Sequence, residues 1–420
     1  MKKLLFITLL FFGFDFVYAQ NQINLDECYT KARENYPLIK QKEYIAQSKD
    51  YNVSNVWKGY FPQIIISGQA TYQSDVTSIP IPSLGASYET LSKDQYKAYA
   101  DVSQVIYDGG VMSSQAGIQE SISEVDNQKL EIELIKLKER VNQIYFGILL
   151  LDEQIKLLDF VKKDLNESLS KLTASFEYGV ATKTNVDVLK AELLNTEQKQ
   201  IEMIASHKAY INMLSLLIND NLDESTNFVQ PSEPNILSRE EIKRPELKLF
   251  SSQQNMIESQ SGLTVSKILP KASLFFQGGY GKPTFNMLKN EFGWYYITGA
   301  RLSWSLSNLY TQGNESEISE LNKKIVDTQK ETFLLNTNIA IQQQQIEINK
   351  LKDLINVDKE IIALRTSVKN ATRSQLENGV VTSSDFIRDL NSEDSSRQNL
   401  AIHSIQLLLA QYNYKLTIGN

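Results

Sequence analysis

One short turn occurs twice in this chain. Residues 176–182 read Phe-Glu-Tyr-Gly-Val-Ala-Thr, and residues 375–382 read Gln-Leu-Glu-Asn-Gly-Val-Val-Thr. Gly179 and Gly379 lie 200 positions apart, and each separates two long segments of helical apolar periodicity. Glycine suits the left-handed residue that ends a helix, and Thr182 and Thr382 can cap the helix that follows. A duplication on this scale predicts a fold made of two copies of one unit.

The rest of the chain extends the repeat. Tyr36-Pro37 corresponds to Arg244-Pro245, and Asp108 corresponds to Asn308. Prolines are absent between Pro82 and Pro231 and again after Pro283, which are the stretches that carry the helical periodicity. The predicted organisation is a signal peptide at 1–19, a first repeat at 20–220, a connector at 221–239 and a second repeat at 240–420. Within the repeats we predict β-hairpins at about 63–106 and 271–306, long helices at about 111–177 and 314–377, and return helices at about 184–218 and 384–418.

The long segments have the pattern of coiled coils. In the first, apolar residues alternate at spacings of four and three, as in the a and d positions of a heptad. These residues are Leu137, Val141, Ile144, Ile148, Leu151, Ile155 and Leu158. A helix over 111–177 would be on the order of 100 Å long at about 1.5 Å per residue. Each long helix and its return helix are therefore predicted to form a helical hairpin that ends at the repeated turn.

The N-terminus has the features of a secretory signal peptide. Lys2 and Lys3 precede an apolar run at 4–14, and Val17-Tyr18-Ala19 forms a small-residue cleavage site before Gln20. The run is too short for a membrane helix of about 20 residues. Since Gln20 is not a cysteine, we expect no lipid anchor on the mature chain.

Composition argues against catalysis and against nucleic acid. The net charge is −7, with one cysteine and two histidines. No phosphate loop, HExxH motif or nucleophile elbow is present in the sequence. His207 and His403 are interpreted as polar helix positions. We therefore expect no enzyme activity, no catalytic residue, no metal site and no cofactor.

The predicted hairpins alternate with a period of two. In the third predicted strand, Ala272, Leu274, Phe276 and Tyr280 alternate with Lys271, Ser273, Phe275 and Gln277. The strands are long enough to cross a membrane when tilted. Ser67, Thr71, Ser103, Gly299 and Ser303 are expected to point inward. The aromatic residues expected to face lipid are Tyr72, Tyr96, Phe276, Tyr280, Trp294, Tyr296 and Trp304.

A membrane location would require several copies of the chain. Four strands cannot close a barrel, and an open edge in lipid leaves backbone groups unsatisfied. Two copies would provide eight strands with a filled interior, whereas three would provide twelve and begin to leave a channel. A soluble amphipathic sheet would also alternate, so the period alone does not decide between these environments.

The order of these features resembles the TolC-like outer-membrane efflux proteins. Each repeat reads helix, Phe/Leu-Pro, hairpin, Asp/Asn, long helix, Gly-Val-x-Thr turn and return helix, which covers essentially the whole mature chain. Residues 105–110, Val-Ile-Tyr-Asp-Gly-Gly, look like the strand-to-helix junction of the family. The second copy at 305–310 lacks the paired glycines.

The resemblance implies an α+β membrane protein that forms a homotrimer. Each chain would supply four strands of a 12-stranded transmembrane β-barrel, continued by a long α-helical coiled-coil tunnel in the periplasm. The implied function is the outer-membrane channel of a tripartite efflux pump or type I secretion system. It would lie in the outer membrane and conduct substrates passively from a periplasmic adaptor and an inner-membrane transporter. No nucleic-acid partner is expected.

The resemblance also implies two sets of site residues. The tips that contact the adaptor would be Gly179, Val180, Thr182, Gly379, Val380 and Thr382. The tunnel entrance would carry Asp385 and Asp389 in the second repeat, with Asn185 and Asp187 as their counterparts in the first. Because Asn185 stands at the position equivalent to Asp385 and Arg388 stands where a second acid would fall, a second acidic ring is not expected. Asp385 can equally be a solvated residue in the first turn of a helix.

A periplasmic coiled-coil adaptor or scaffold that spans no membrane is the alternative. Such proteins also combine helical hairpins with β domains. They normally have one hairpin rather than two equivalent halves with aromatic strands. The exported substrate, drug, metal, detergent or polypeptide, cannot be named from the sequence.

Overall fold

The structure, a computed structural model, describes residues 22–77, 91–236, 241–286 and 289–419. The predicted signal peptide lies outside these residues, as do parts of the two loops expected to face the exterior. The helices are α1 (Leu25–Asn35), α2 (Gln41–Trp57), α3 (Val111–Glu177), α4 (Lys183–Ile218), α5 (Pro245–Lys267), α6 (Leu309–Glu377) and α7 (Ser383–Ile418). The strands are β1 (Gln22–Ile23), β2 (Gln63–Tyr72), β3 (Asp94–Tyr107), β4 (Asn227–Phe228), β5 (Lys271–Lys282) and β6 (Gly293–Ser303).

Two helices exceed the usual length of a globular helix severalfold. Helix α3 has 67 residues and α6 has 69. Neither contains proline, which would remove a backbone hydrogen bond and clash with the preceding turn. Helix α6 begins at Leu309 rather than at the predicted position 314, because Gly313 is accommodated inside the helix. Among the described residues, no helix is both long and apolar enough to cross a membrane.

The chain divides into two compact units, the first of which is helical. It comprises, among the described residues, those up to Pro37, those of Leu134–Ile242, and those from Ile339 onward. Apolar side chains from all four long helices form one core next to the repeated turns. This core contains Val161, Leu165, Leu172, Val186, Leu189, Leu376, Phe386 and Leu390. The two helical hairpins are therefore packed against each other near their tips.

The connector between the repeats contains a buried aromatic residue. Strand β4 pairs in parallel with β1, and Phe228 is buried. Its ring meets the ring of Tyr145 edge-on, with centroids 5.8 Å apart. The Tyr145 hydroxyl lies 2.9 Å from the carbonyl oxygen of Ile23 and 2.8 Å from that of Val229. Because the rest of the segment is mainly polar, its composition does not indicate that Phe228 is buried.

The second unit contains the four-stranded sheet. It comprises Leu38–Glu133 and Lys243–Asn338. The strand order is β2-β3-β5-β6, and every neighbouring pair is antiparallel. A bulge between Val105 and Tyr107 interrupts the pairing of β3 with β5. Ile106 is the extra residue at this bulge and interrupts the regular alternation of β3.

The junction of β3 with α3 is built around one carboxylate. Asp108 is buried, and its oxygens accept hydrogen bonds from the Tyr60 hydroxyl, the Gly110 backbone N–H and the Met112 backbone N–H at 2.7–2.9 Å. Gly109 has φ +75°, and a Cβ there would lie 2.8 Å from the Ser266 carbonyl oxygen. The paired glycines are thus required by backbone conformation and close packing.

The equivalent junction in the second repeat is made differently. Asn308 donates from Nδ2 to the Lys267 carbonyl oxygen at 2.8 Å, after a single 3-10 turn at Leu306–Asn308. This difference accounts for the absence of the paired glycines there, since no left-handed residue is needed.

Candidate membrane face and hairpin tips

The strand register gives the sheet two faces of different chemistry. Trp294 lies opposite Tyr280, Phe276 opposite Val102, and Tyr96 opposite Ala70. Residues opposite each other share a face, and alternate residues along a strand share it too. We call this the apolar face. The predicted aromatics within the strands all belong to it, and Trp304 follows directly after β6.

The apolar face is open in the single chain. Ile66 is 83% exposed, Trp294 82% and Leu302 76%. Exposed apolar patches of this kind mark contact with another protein or with lipid. The rings also contact one another: Tyr280 and Trp294 have centroids 5.2 Å apart, and Phe276 and Tyr296 are 6.2 Å apart.

Charges on the apolar face occur only at one end. Within the strands they are Asp94 at the start of β3 and Lys282 at the end of β5. Both belong to the end of the sheet where Tyr72, Tyr96 and Trp294 cluster. Charged groups beside tyrosine and tryptophan are typical of a membrane–water interface, with an uncharged band beyond them.

The other face, here called the polar face, carries the remaining charged residues of the strands. Ser67, Thr71, Ser103, Gly299 and Ser303, predicted to point inward, belong to it by register. The same face also has Tyr99, Phe275 and Tyr295, aromatics that the inward prediction did not include. The alternation of the sequence contains this signal, since Tyr99, Phe275 and Tyr295 are an even number of residues from the small residues on the same strands.

The hairpin tips have the predicted turn geometry. Gly179 has φ +75° and Gly379 has φ +70°, which confirms the left-handed helix ends. Thr182 and Thr382 are the N-caps of α4 and α7, as predicted. No other atom lies within 4 Å of a Cβ placed on either glycine. The glycines are therefore required by backbone conformation alone, and the space around them is open.

The exposed side chains of the tips are mainly apolar. Val180 is 77% exposed, Val380 71% and Tyr178 85%. The two tips differ, since Tyr178 in the first corresponds to Asn378 in the second. An exposed turn with apolar side chains on a packed helical base is suited to binding another protein.

Asp385 has a structural role at the second tip. Its backbone N–H donates to Thr382 Oγ1 at 3.3 Å, and its carboxylate accepts from the Thr382 backbone N–H at 3.2 Å, which is a capping box. The hydroxyl and the backbone N–H of Thr382 lower the pKa of Asp385, and Arg388 adds to this. Arg388 lies 3.2 Å from Asp385 Oδ1. Asp385 thus remains ionised, with part of its charge balanced by its neighbour.

The other predicted entrance residues have different surroundings. Asp389 is buried and accepts a 2.6 Å hydrogen bond from the Thr372 hydroxyl, so it lies in the packing between α6 and α7 rather than on the open end. This burial argues against its predicted place at the entrance. Asn185 donates its backbone N–H to Thr182 Oγ1, and Asp187 is exposed.

A buried charge network behind the tips was not predicted. Lys369 lies 2.9 Å from Asp164 and 2.7 Å from Glu393, which joins α6 to α3 and α7. Arg373 also binds Asp164, and Arg397 binds Glu393. Only the Glu393–Arg397 pair, four residues apart on one helix, has a sequence signal. The other contacts depend on how the helices pack.

The network keeps its carboxylates ionised. Burial alone would raise the pKa of Glu393, but Lys369, Thr366 and Arg397 outweigh it and lower the pKa to about 2. The pKa of Asp164 is also lowered, because Lys369 and Arg373 overcome its burial. A cavity of about 510 Å³ lies beside this network, lined in part by Phe160 and Asp394.

Each histidine lies beside an aspartate of the neighbouring long helix. His207 Nε2 is 2.9 Å from Asp152, and His403 Nδ1 is 2.6 Å from Asp358. In the described part of the chain, no group of three or more histidine, cysteine and acidic residues is placed to hold a metal ion.

This sequence and fold are similar to those of known outer-membrane proteins. Residues 28–219 match the family described as Outer membrane efflux protein. No curated protein matches the sequence. The fold is similar to the outer membrane protein VceC of Vibrio cholerae, at 12% identity and a TM-score of 0.67, covering 94% of this chain and 96% of that one.

Two further solved structures are similar over the same share of the chain. The Campylobacter jejuni CmeC outer membrane channel has 13% identity and a TM-score of 0.66, with 85% of its length covered. The open state of the Neisseria gonorrhoeae MtrE outer membrane channel has 12% identity and a TM-score of 0.67, with 89% covered. The family match over the first repeat and the shared fold over 94% of the chain confirm the resemblance to the TolC-like outer-membrane efflux proteins.

Proposed function

We propose that this protein is the outer-membrane channel of a tripartite efflux pump or type I secretion system. It conducts substrates passively from a periplasmic adaptor and an inner-membrane transporter to the exterior. The apolar face carries this proposal. Its exposed aromatics lie at one end and within a band without charge, and its charged residues are confined to that same end of the strands. The family match and the fold of the similar channels support the same function.

The edges of the sheet support assembly into a closed barrel. Strands β2 and β6 each have one neighbour in the described chain. In lipid, unpaired backbone groups would be unfavourable by several kcal/mol each. Because the strands alternate in direction, β6 of one copy can pair antiparallel with β2 of the next. Three copies of this four-stranded sheet would form a 12-stranded barrel.

The polar face favours three copies over two. The interior of an eight-stranded barrel is just wide enough for side chains to fill. Here each chain would place Tyr99, Phe275, Tyr295 and Arg301 inside. A 12-stranded barrel accommodates these side chains and leaves a passage, which suits a channel.

The long helices also present unpaired apolar residues. Ile339, Ile346, Val357 and Leu364 on α6 are 48–70% exposed and recur at spacings of seven and eleven. Such a row is suited to packing against a helix of another copy. We propose that these rows close the helical tunnel of a homotrimer, and that the tips bind the adaptor through Val180 and Val380.

Three measurements on the native protein test this function. The protein should be recovered in the outer-membrane fraction, migrate as a heat-modifiable trimer and conduct ions in planar lipid bilayers. Recovery as a soluble periplasmic monomer without conductance would contradict the proposal and favour a periplasmic adaptor or scaffold.

A further inference from the structure

The polar face of the sheet has a charge opposite to that of the whole protein. The chain has a net charge of −7. Yet the polar face of the four strands has three cations, Lys97, Lys271 and Arg301, and one carboxylate, Asp101. A passage lined by one sign of charge concentrates ions of the other sign.

The one carboxylate does not neutralise these cations. Asp101 accepts a 2.8 Å hydrogen bond from Gln277 Nε2. By register, Arg301 lies four residues along the sheet on one side of this pair, and Lys97 lies four residues on the other. At about 3.3 Å per residue, each cation is about 13 Å from Asp101 along the strands. Within the described residues, neither cation forms an ion pair.

Arg301 is held against an aromatic ring. Its guanidinium carbon lies 5.0 Å from the centroid of Phe275, within the range of a cation–π contact. Gly299 leaves room for this ring, since a Cβ there would be 3.1 Å from Phe275 Cε1. The guanidinium therefore stands at a defined place on the polar face with its donors free to meet a ligand.

A second aromatic level lies further along the same face. Tyr99 and Tyr295 flank Gly279, where a Cβ would be 2.6 Å from Tyr99 Cβ and 2.9 Å from the Tyr295 hydroxyl. The polar face thus combines aromatic surface with cations that have no carboxylate partner. This combination suits an organic anion with an aromatic part, because ring stacking and charge attraction act on the same molecule.

We propose that the barrel interior selects anionic aromatic compounds, with Arg301 on Phe275 as the specificity-determining residue. The inference rests on the proposed function, since the polar face lines a passage only if the barrel closes. In a trimer, three Arg301–Phe275 pairs would lie at one level. Cations of the same size would be repelled at this level, although they can stack on the same rings.

The ion selectivity of the reconstituted trimer tests whether the charge of Arg301 acts on ions in the passage. In planar bilayers with a KCl gradient, the wild type should favour chloride over potassium. Arg301→Gln should lower the chloride-to-potassium permeability ratio at least about sevenfold, because one unit charge about 7 Å from an ion in water favours chloride about 2.7-fold and disfavours potassium by about the same factor. Lys282→Gln removes the same charge from the apolar face and should leave the ratio unchanged. Asp385→Asn, measured alone and with Arg301→Gln, separates the contribution of the hairpin tips.

Block of the conductance by organic ions tests whether the ring of Phe275 contributes to binding. 1-Naphthalenesulfonate should block the conductance at concentrations at least about tenfold lower than benzyltrimethylammonium, and Phe275→Leu should weaken the block by the anion more than the block by the cation. Two results would overturn this inference: a preference for potassium that Asp385→Asn does not reverse, or a chloride-to-potassium permeability ratio that Arg301→Gln and Lys282→Gln change equally. In either case the measured conductance would still support the proposed channel. Absence of any conductance would instead overturn the proposed function.

Discussion

At the scale of single residues, the tips combine a fixed backbone with an open surface. Gly179 and Gly379 adopt positive φ in space that no neighbour occupies. The capping box of Thr382 and Asp385 begins the next helix. These contacts are local, so the tip conformation does not depend on the valines. Val180 and Val380 are therefore available to a partner.

The double variant Val180→Ser, Val380→Ser should weaken adaptor binding while the trimer remains intact. Burying one valine contributes about 1.5 kcal/mol, so we expect at least about a tenfold loss of affinity for the cognate adaptor. Cross-linking in cells and co-purification measure the loss. Ser384→Ala changes an exposed side chain beside the same tip and serves as the control. Unchanged adaptor binding in the double variant would place the docking surface elsewhere.

Asp385 acts both as a cap and as a candidate entrance charge, and two substitutions separate these roles. Asp385→Asn retains an acceptor for the Thr382 N–H but removes the charge, whereas Asp385→Ala removes both. Both should weaken the block of conductance by trivalent cations about tenfold, since three carboxylates would converge in a trimer. Only the alanine variant should also destabilise the helix end, which would appear as faster hydrogen exchange in the first turn of α7. Equal cation block in the wild type and both variants would leave Asp385 as a cap alone.

At the scale of elements, the two helical hairpins are joined by a core and by the network around Lys369. Lys369 contacts one helix of the first hairpin through Asp164 and one of the second through Glu393. Removing one partner from a buried ion pair leaves an uncompensated charge, which is more damaging than the loss of a surface pair. This network is therefore expected to fix the hairpins near the tips.

Glu393→Gln should destabilise the helical unit by on the order of 3 kcal/mol at neutral pH. The pKa of Glu393 is about 2 in the folded protein and 4.5 ordinarily. Its contribution is therefore complete above about pH 4.5 and is lost as the pH falls through 2. Thermal unfolding followed by circular dichroism should show a smaller pH dependence between pH 5 and 2 in the variant. Glu360→Gln, at an exposed position on the neighbouring helix α6, is the control, and identical pH profiles for wild type and Glu393→Gln would refute the assignment.

At the scale of the whole molecule, the single chain is incomplete in two ways. The sheet has two unpaired edges, and α6 has a row of exposed apolar residues. Each feature is unfavourable in isolation and would be resolved in the proposed trimer. Assembly is thus the step at which the chain would acquire a closed passage.

Ile346→Gln combined with Leu364→Gln should weaken the trimer without unfolding the chain. The two side chains are 68% and 70% exposed, so each loses contacts only in the assembly. Burial contributes about 2 kcal/mol per side chain, repeated in three copies. The heat-resistant trimer should therefore dissociate at a lower temperature while the helical signal stays constant. Gln343→Ala, an exposed polar position on α6, is the control, and an unchanged trimer would show that this row is not an interface.

The long helices and the amphipathic strands could be predicted from the sequence, because the residues that determine them are close together in the chain. The seam from Leu137 to Leu158, the glycine ends and the threonine caps follow from residues a few positions apart. The structure has α3 at Val111–Glu177, the same bounds as the sequence interpretation. The alternation likewise placed Trp294 on the face opposite to Gly299 and Ser303, since side chains alternate across a strand.

What the sequence determined by itself is periodicity and turn chemistry, while the tertiary structure decided which distant groups meet. From the sequence, Asp389 is predicted to lie at the tunnel entrance, whereas the packing of α6 against α7 buries it beside Thr372. The ion pairs of Lys369, the anchor at Phe228 and the bulge at Ile106 likewise depend on contacts between segments far apart in the chain. Local preferences act within a few residues, whereas burial and charge pairing arise only once the elements are packed.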